Sequence, residues 1–293
     1  MQSTVAKAPA SMKVSRLTAS IGAEVSDVDL GEVARSDELF AQLKSLLLTH
    51  KVLFFRDQDI TRAEHVQLAK RFGPLEDHPV APSDPDHPGL VRIYKDLDSP
   101  AEHYENAYHC DGTWKETPPM GCVLRCVEAP PVGGDTIWVN MALAYAGLPE
   151  HIKAQIAPLS ARHSIEATFG AAMPAERRRR LKESFPDAEH PVVRTHPETG
   201  EKVLFVNGFA THFVNFHTPA NVRHGIDFSP GASHLLNYLI SQAAIPDYQV
   251  RWRWTNNSFA IWDNRCTQHY AVQDYYPAVR KMERASIIGD KPF

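Results

Sequence analysis

His109 and Asp111 are separated by a single residue, and in an extended segment side chains two apart leave the same face of the strand. An imidazole and a carboxylate on one face form a chelating pair. A second imidazole from elsewhere in the chain would complete the two-His, one-carboxylate arrangement that leaves positions open on a non-haem Fe(II). Open positions are what an oxygenase needs. A chain with 15 His contains about one His-x-Asp pair by chance, so residues at a distance have to decide whether this one is functional.

They lie at suggestive intervals. Gly133-Gly134-Asp135-Thr136 brings Thr136 25 residues after Asp111, His269 follows Asp111 by 158, and Arg280 and Arg284 follow His269 by 11 and 15. The set resembles the taurine dioxygenase (TauD/TfdA-like) family of Fe(II)- and 2-oxoglutarate-dependent dioxygenases. That family's pattern is His-x-Asp, a Thr in a Gly-Gly-Asp-Thr turn, a distal His and a following Arg. The resemblance runs from about Val14 to Phe293 and includes His50 to Gln58, Glu116 to Pro119, Val250 to Trp254 and Ile261 to Arg265.

The resemblance implies His109, Asp111 and His269 as iron ligands, with no catalytic side chain beyond the metal centre. It implies Thr136 and Arg280 as the groups that hold the distal carboxylate of 2-oxoglutarate. A guanidinium fork suits that task because it donates two parallel hydrogen bonds. Arg284 and His78 match positions that meet the substrate's sulfonate in taurine dioxygenase. Ala81 stands where that enzyme has a tyrosine, and Glu105 where it has an asparagine. Losing a phenol enlarges the pocket, and a carboxylate disfavours a purely anionic ligand while attracting an amine, so taurine itself is disfavoured. Glu105 is therefore counted with the substrate site. Phe209 and Phe213 are candidates for an apolar wall.

The implied reaction uses Fe(II), 2-oxoglutarate and O2 to hydroxylate a C–H of a small anionic or zwitterionic substrate, releasing succinate and CO2. Sulfonates, alkyl sulfates and aryloxy acids fit that description, and the family implies a homodimer or tetramer. Two rivals use the same residues differently. A zinc hydrolase would need the three ligands and a bound water but would leave Arg280 and Thr136 without a role. A ligand-binding protein on the same fold would not turn over at all.

Several elements must position these groups. Ser36 is an N-cap before the helical spacing of Leu39, Phe40, Leu43, Leu46 and Leu47, which runs to about His50. Val52 to Phe55 reads as a buried strand, and Thr61-Arg62-Ala63-Glu64 as a capping box opening a helix to about Gly73. Leu75 to Pro100 is a Pro-, Asp- and His-rich loop with a short strand at Leu90 to Tyr94. Strands are expected around His109, from Gly121 to Val127 and from Asp135 to Asn140. Met141 to Ile156 has helical spacing broken at Gly147 and Pro149. The interval 157–190 shows no strand period and is expected to be a partly helical lid over the site. A hairpin turns at Pro197 to Gly200, Ser229-Pro230 caps a helix to about Ala244, and strands follow at Val250 to Trp254 and Ser258 to Trp262.

Short strands with frequent turns predict a mainly β fold with helical decorations, whose edges a closed double sheet would protect. The resemblance implies the same, a double-stranded β-helix of jelly-roll type with a cupin-like core. A small tail at 1–12 would precede a single domain at 13–293. The composition, 43% hydrophobic with 22 Pro and 15 Gly, supports a large core with many turns. A net charge of -4 gives no general attraction for nucleic acid or an anionic membrane. No apolar stretch approaches the roughly 20 residues of a membrane span, and the start lacks a signal-peptide core, so a cytoplasmic protein is expected. Its four cysteines, Cys110, Cys122, Cys126 and Cys266, read as buried thiols.

Overall fold

The run Val52-Leu53-Phe54-Phe55 carries no polar residue, so a strand made of it has to be covered on both faces. It forms β3 (Val52–Phe55), and all four side chains are buried. Leu53 and Phe55 join an aliphatic cluster with Leu43, Leu47, Val66 and Leu68, whereas Val52 and Phe54 face Trp138, Trp252 and Trp262. Helices lie on one side of this strand and a second sheet on the other.

This computed structural model describes residues 12–77, 83–96, 99, 106–166, 174–217 and 229–293. His78, Ala81, Glu105 and the expected tail at 1–11 lie outside the described residues. β3 belongs to an eight-stranded sheet with β1 (Lys13–Arg16), β2 (Ala23–Ser26), β4 (Ser83–Asp84), β5 (His87–Lys95), β6 (Gly121–Glu128), β14 (Phe259–Asp263) and β16 (Arg280–Ile287). Their order is β1-β2-β3-β14-β6-β16-β5-β4. Facing it is a three-stranded sheet in the order β13-β7-β15, made of β7 (Thr136–Asn140), β13 (Gln249–Trp252) and β15 (Thr267–Ala271). The two form the jelly-roll core.

Period-two alternation sorts the residues of β16 between the layers. Ala285 and Ile287 enter the aliphatic cluster under the helices, while Met282 enters the tryptophan-rich layer between the sheets. Arg280 and Arg284 share the parity of Met282. Both guanidinia are thereby directed into the sandwich, where Thr136, Trp138 and His269 approach from the facing sheet.

The helices over the outer face begin at the expected caps. Ser36 accepts from Leu39 N at the start of α2 (Asp37–His50), and Lys51 closes that helix with φ 67°. Thr61 and Glu64 make the reciprocal capping box of α3 (Arg62–Lys70). A further helix, α1 (Leu30–Arg35), was not expected; six residues are too few for a periodic pattern, and its cap at Asp29 is the only local sign. The helical stretch after β7 divides into α4 (Met141–Ala146) and α5 (Glu150–Ile156) around Gly147 and Pro149.

Two expectations need correction. The segment around His109 is not a strand: His109 makes one isolated antiparallel bridge with His269, and a turn begins at Asp111. The interval 157–189 does contain strands, β8 (Ser160–His163) and the start of β9 (Ala188–Pro191), which pair with each other, and β8 pairs on its other edge with β12 (Ala210–Phe213). Between them lies α6 (Ala175–Ser184), whose residues are all outside the core. The expected hairpin is β10 (Val193–Thr195) with β11 (Lys202–Leu204), and Ser229 caps α7 (Pro230–Ser241). Among the described residues no helix is long and apolar enough to cross a membrane. All four cysteines are free and buried.

Candidate active site

His109 and Asp111 come from an irregular segment and His269 from the middle of β15, yet backbone pairing brings them together. His109 N donates to His269 O at 3.0 Å, and His269 N donates to His109 O at 2.8 Å. The rings follow, with centroids 4.1 Å apart. His109 Nε2 stands 3.7 Å from Asp111 Oδ1, and His269 Nε2 stands 4.0 Å from Asp111 Oδ2. One donor atom from each residue lies within 4.8 Å of the other two, close enough for a single ion to reach all three.

The protonation states suit a cation. His109 Nδ1 is 2.7 Å from Ala107 O; a carbonyl only accepts, so Nδ1 carries the proton and Nε2 offers its lone pair to the cluster. Burial, with help from His109 and Arg284, pushes His269 down to about 3, against an upward pull from Asp111, so its imidazole is neutral at ordinary pH. Its other ring nitrogen, Nδ1, is buried and has no hydrogen-bond partner among the described residues. Two imidazoles and one carboxylate converging in this way fit a divalent transition metal. The side chains of His109 and Asp111 are each 13% exposed, so the cluster is not sealed from incoming ligands.

Asp111 is held at its second oxygen. Arg284 Nη1 donates to Oδ2 at 3.2 Å, and the Cys122 thiol reaches the same oxygen at 3.7 Å. Cys122 lies on the inner face of β6, where burial raises its thiol well out of the range of ionisation. It is a weak neutral donor there and no nucleophile.

Thr136 and Arg280 meet on the opposite side of the sandwich. Arg280 Nε donates to Gly134 O at 3.1 Å and Nη2 reaches Thr136 Oγ1 at 3.5 Å. Thr136 Oγ1 also accepts from Trp254 Nε1 at 3.0 Å, which leaves its own proton to donate elsewhere. Arg280 is 6% exposed, and among the described residues no carboxylate pairs with it. A buried cation without an anion is costly, and an acid supplied from outside would offset that cost. The Gly133-Gly134 turn that shapes it has φ 79° and 70°, and a Cβ on Gly134 would meet Pro130 and the Arg280 side chain.

Phe209 is buried with its ring edge-on to His109, centroids 6.2 Å apart, and packs on Trp114 at 4.7 Å. Phe213, the other candidate wall, lies in a different cluster with Val139 and Leu204 and does not reach the site. His78 and Glu105 fall outside the described residues. Three residues at or next to the site were missed by sequence reasoning: Cys122, Asn264 and Asp263. The stretch Trp262-Asp263-Asn264-Arg265 was noticed only as part of a resemblance.

Asp263, His196 and Cys266 form a second compact group of possible metal donors. Asp263 has nothing left to offer an ion. Its Oδ1 accepts from Arg265 N and Nε at 3.0 and 2.9 Å, and its Oδ2 from Arg265 Nη2 and His196 Nε2 at 2.7 and 3.0 Å. All four lone-pair sites are filled. Burial opposes the charge, but these donors outweigh it and hold the carboxyl far below its usual range. The group is a structural knot in the turn between β14 and β15.

The chain is 37% identical to an alkylsulfatase of Acinetobacter baylyi, over 95% of this chain and 86% of that one. It is 35% identical to an alpha-ketoglutarate-dependent sulfate ester dioxygenase of Pseudomonas putida, over 93% and 88%. The crystal structure of a taurine dioxygenase from Burkholderia xenovorans superposes with a TM-score of 0.77 at 35% identity, covering 96% of this chain and 90% of that one. The profile of the taurine catabolism dioxygenase TauD, TfdA family matches residues 13–286, and the chain belongs to that family of 2-oxoglutarate-dependent dioxygenases.

Proposed function

We propose that His109, Asp111 and His269 hold Fe(II), that Arg280 and Thr136 hold the distal carboxylate of 2-oxoglutarate, and that the substrate is a small organic sulfate ester. The reading is carried by one observation: three metal-donor side chains converge in the sandwich that also holds a buried guanidinium with no acidic partner among the described residues. Sulfate esters are favoured over aryloxy acids because the alkylsulfatase and the sulfate ester dioxygenase are 37% and 35% identical to this chain, against 30% and 28% for the phenoxypropionate and 2,4-dichlorophenoxyacetate dioxygenases, and a sulfonate is the rival because a taurine dioxygenase is also 35% identical.

Bound iron supplies the site for O2 and for oxidative decarboxylation of 2-oxoglutarate, the step that makes C–H hydroxylation possible. The chain supplies geometry and electrostatics. His269 stays neutral and so has no proton to shed on binding the metal, and the Ala107 carbonyl engages His109 Nδ1, which turns Nε2 towards the cluster. Arg284 and Cys122 occupy Asp111 Oδ2 and leave Oδ1 towards His109. Trp254 donates to Thr136 and thereby turns the hydroxyl proton towards the incoming carboxylate, while Arg280 neutralises its charge. Arg284 also gives the substrate's sulfate a cationic contact, and Phe209 with Trp114 excludes water beside His109. A lid role is supported by Leu181 of α6 and by Phe185 just after it, which pack on Trp114, Ile165 and Phe209. When the hydroxylated carbon bears a sulfate, the product is a hemiacetal-like ester that collapses to an aldehyde or ketone and inorganic sulfate.

The test is a panel of alkyl sulfates, alkylsulfonates, aryloxy acids and amino-acid-like compounds, scored by substrate-stimulated succinate release with Fe(II) under air. Alkyl sulfates should stimulate most and release sulfate in equal amount to succinate. Sulfate release without O2 or 2-oxoglutarate would replace this reading with metal-dependent hydrolysis.

A further inference from the structure

Asp111 lies in neither helix nor strand, so no ladder of backbone hydrogen bonds fixes the carboxylate that completes the metal site. A side chain does that work. Asp111 N donates to Asn264 Oδ1 at 3.0 Å, and Asn264 Nδ2 donates back to Asp111 O at 3.0 Å. The second Nδ2 proton goes to Pro119 O, also at 3.0 Å, at the far end of the same irregular segment. Only a carboxamide offers an acceptor and a two-proton donor on one planar group, so it can close a ring on a peptide unit as a neighbouring strand would.

Asn264 is itself rigidly mounted. Its N donates to Met120 O at 2.9 Å, and its O accepts from the Cys110 thiol at 3.0 Å. The residue is 1% exposed, and it stands beside Asp263, whose four filled acceptor sites lock the turn. The same turn leads into β15 and His269. One short piece of chain therefore presents the distal imidazole directly and the carboxylate through an amide clamp.

We propose that Asn264 is a positioning residue of the metal centre: by gripping the main chain of Asp111 it sets the carboxylate relative to His269 and so tunes metal affinity. The inference rests on the metal reading above. Partners that orient ligands in this way typically contribute about 10- to 100-fold to metal affinity. Asn264→Asp keeps the shape but turns two donors into lone pairs facing the carbonyls of Asp111 and Pro119. Asn264→Ala removes the clamp.

The experiment titrates Mn(II), a redox-silent probe, into metal-free protein and follows the free ion by electron paramagnetic resonance, alongside thermal unfolding of the metal-free form. The comparison variant is Asn140→Ala. Asn140 caps α4 by accepting from Leu143 N and donates to Ser20 O, and it touches none of the three donors. Both Asn264 variants should bind Mn(II) about 10- to 100-fold more weakly, while Asn140→Ala loses stability and keeps its affinity within about twofold. A folded Asn264 variant that binds Mn(II) like the unaltered protein overturns the proposal. So does failure of both variants to fold, which would make Asn264 a purely structural residue. If instead the unaltered protein and Asp111→Ala bind Mn(II) alike, the assignment of the metal site itself is what fails.

Discussion

The site is assembled from two kinds of chain. Thr136, His269, Arg280 and Arg284 stand on β7, β15 and β16, held by antiparallel ladders, and their direction follows from alternation alone. His109 and Asp111 stand on a segment with one isolated bridge, held by side chains that reach across from other elements. In the proposed site Thr136, Arg280 and Arg284 of the strand-borne half would hold acids by charge and hydrogen bonds, a task that tolerates small displacements. The loop-borne His109 and Asp111 would complete the coordination sphere that His269 begins, where a displacement of an ångström matters. The less regular half is thus the one asked for greater accuracy, and it obtains that accuracy from Asn264, Arg284 and Cys122 rather than from secondary structure.

Removing the carboxylate of the loop-borne half should have the largest effect. Asp111→Ala is expected to abolish both metal binding and succinate formation while the far-ultraviolet circular dichroism stays unchanged. Normal succinate formation in this variant would remove Asp111 from the metal site. The strand-borne half should respond more mildly. Arg280→Gln deletes a buried cation opposite an acid, worth about 2–4 kcal/mol, so KM for 2-oxoglutarate should rise roughly 30- to 1000-fold. Mn(II) affinity should not change, and a joint loss of both would show that the two halves are not separable.

The smallest effect probes the framework under both halves. His65 on α3 bonds Val123 O of β6 through Nε2 at 3.0 Å, and its buried Nδ1 has no acceptor. Burial lowers it from 6.5 to about 4, with a smaller push from Arg125 and opposing pulls from the Val123 carbonyl and Glu283. As the pH falls, the unfolded chain takes up this proton first. The contribution is complete above about pH 6.5 and is lost as the pH falls towards 4, amounting to about 2 kcal/mol at pH 5. Urea unfolding at pH 7.5 and pH 5 should show the unaltered protein losing that much more than His65→Gln. Equal losses would mean that some other group carries the acid sensitivity.

Much of this was legible in the chain itself. The caps at Ser36, Thr61 and Ser229 and the all-apolar run at Val52 announce their elements locally. The residues at 109, 111, 136, 269 and 280 were marked out by the family resemblance, and in the fold 109, 111 and 269 converge while 280 reaches 136. β8 and β9 were not legible because their inward positions are Ala161, His163, Ala188 and His190, residue types that do not signal burial. His163 and His190 are buried because Thr113 and Lys115 offer hydrogen-bonding partners, which only the folded chain brings near. The strand expected at His109 failed for the opposite reason. Its residues permit extension, but no neighbour beyond His269 pairs with them. Asn264 left no periodic trace, since one amide clamp has no pattern to repeat.

Arg280 and Arg284 share one strand, and the interval between them works as a gauge. At about 3.3 Å per residue their Cα atoms stand roughly 13 Å apart, which spaces the two anion anchors on a rigid bar. Inserting or deleting a single residue there would rotate one guanidinium towards the helices, so the bar cannot be shortened or lengthened by small steps. Adaptation to larger or smaller molecules has to come from the loops around it, with the anchors left where they are.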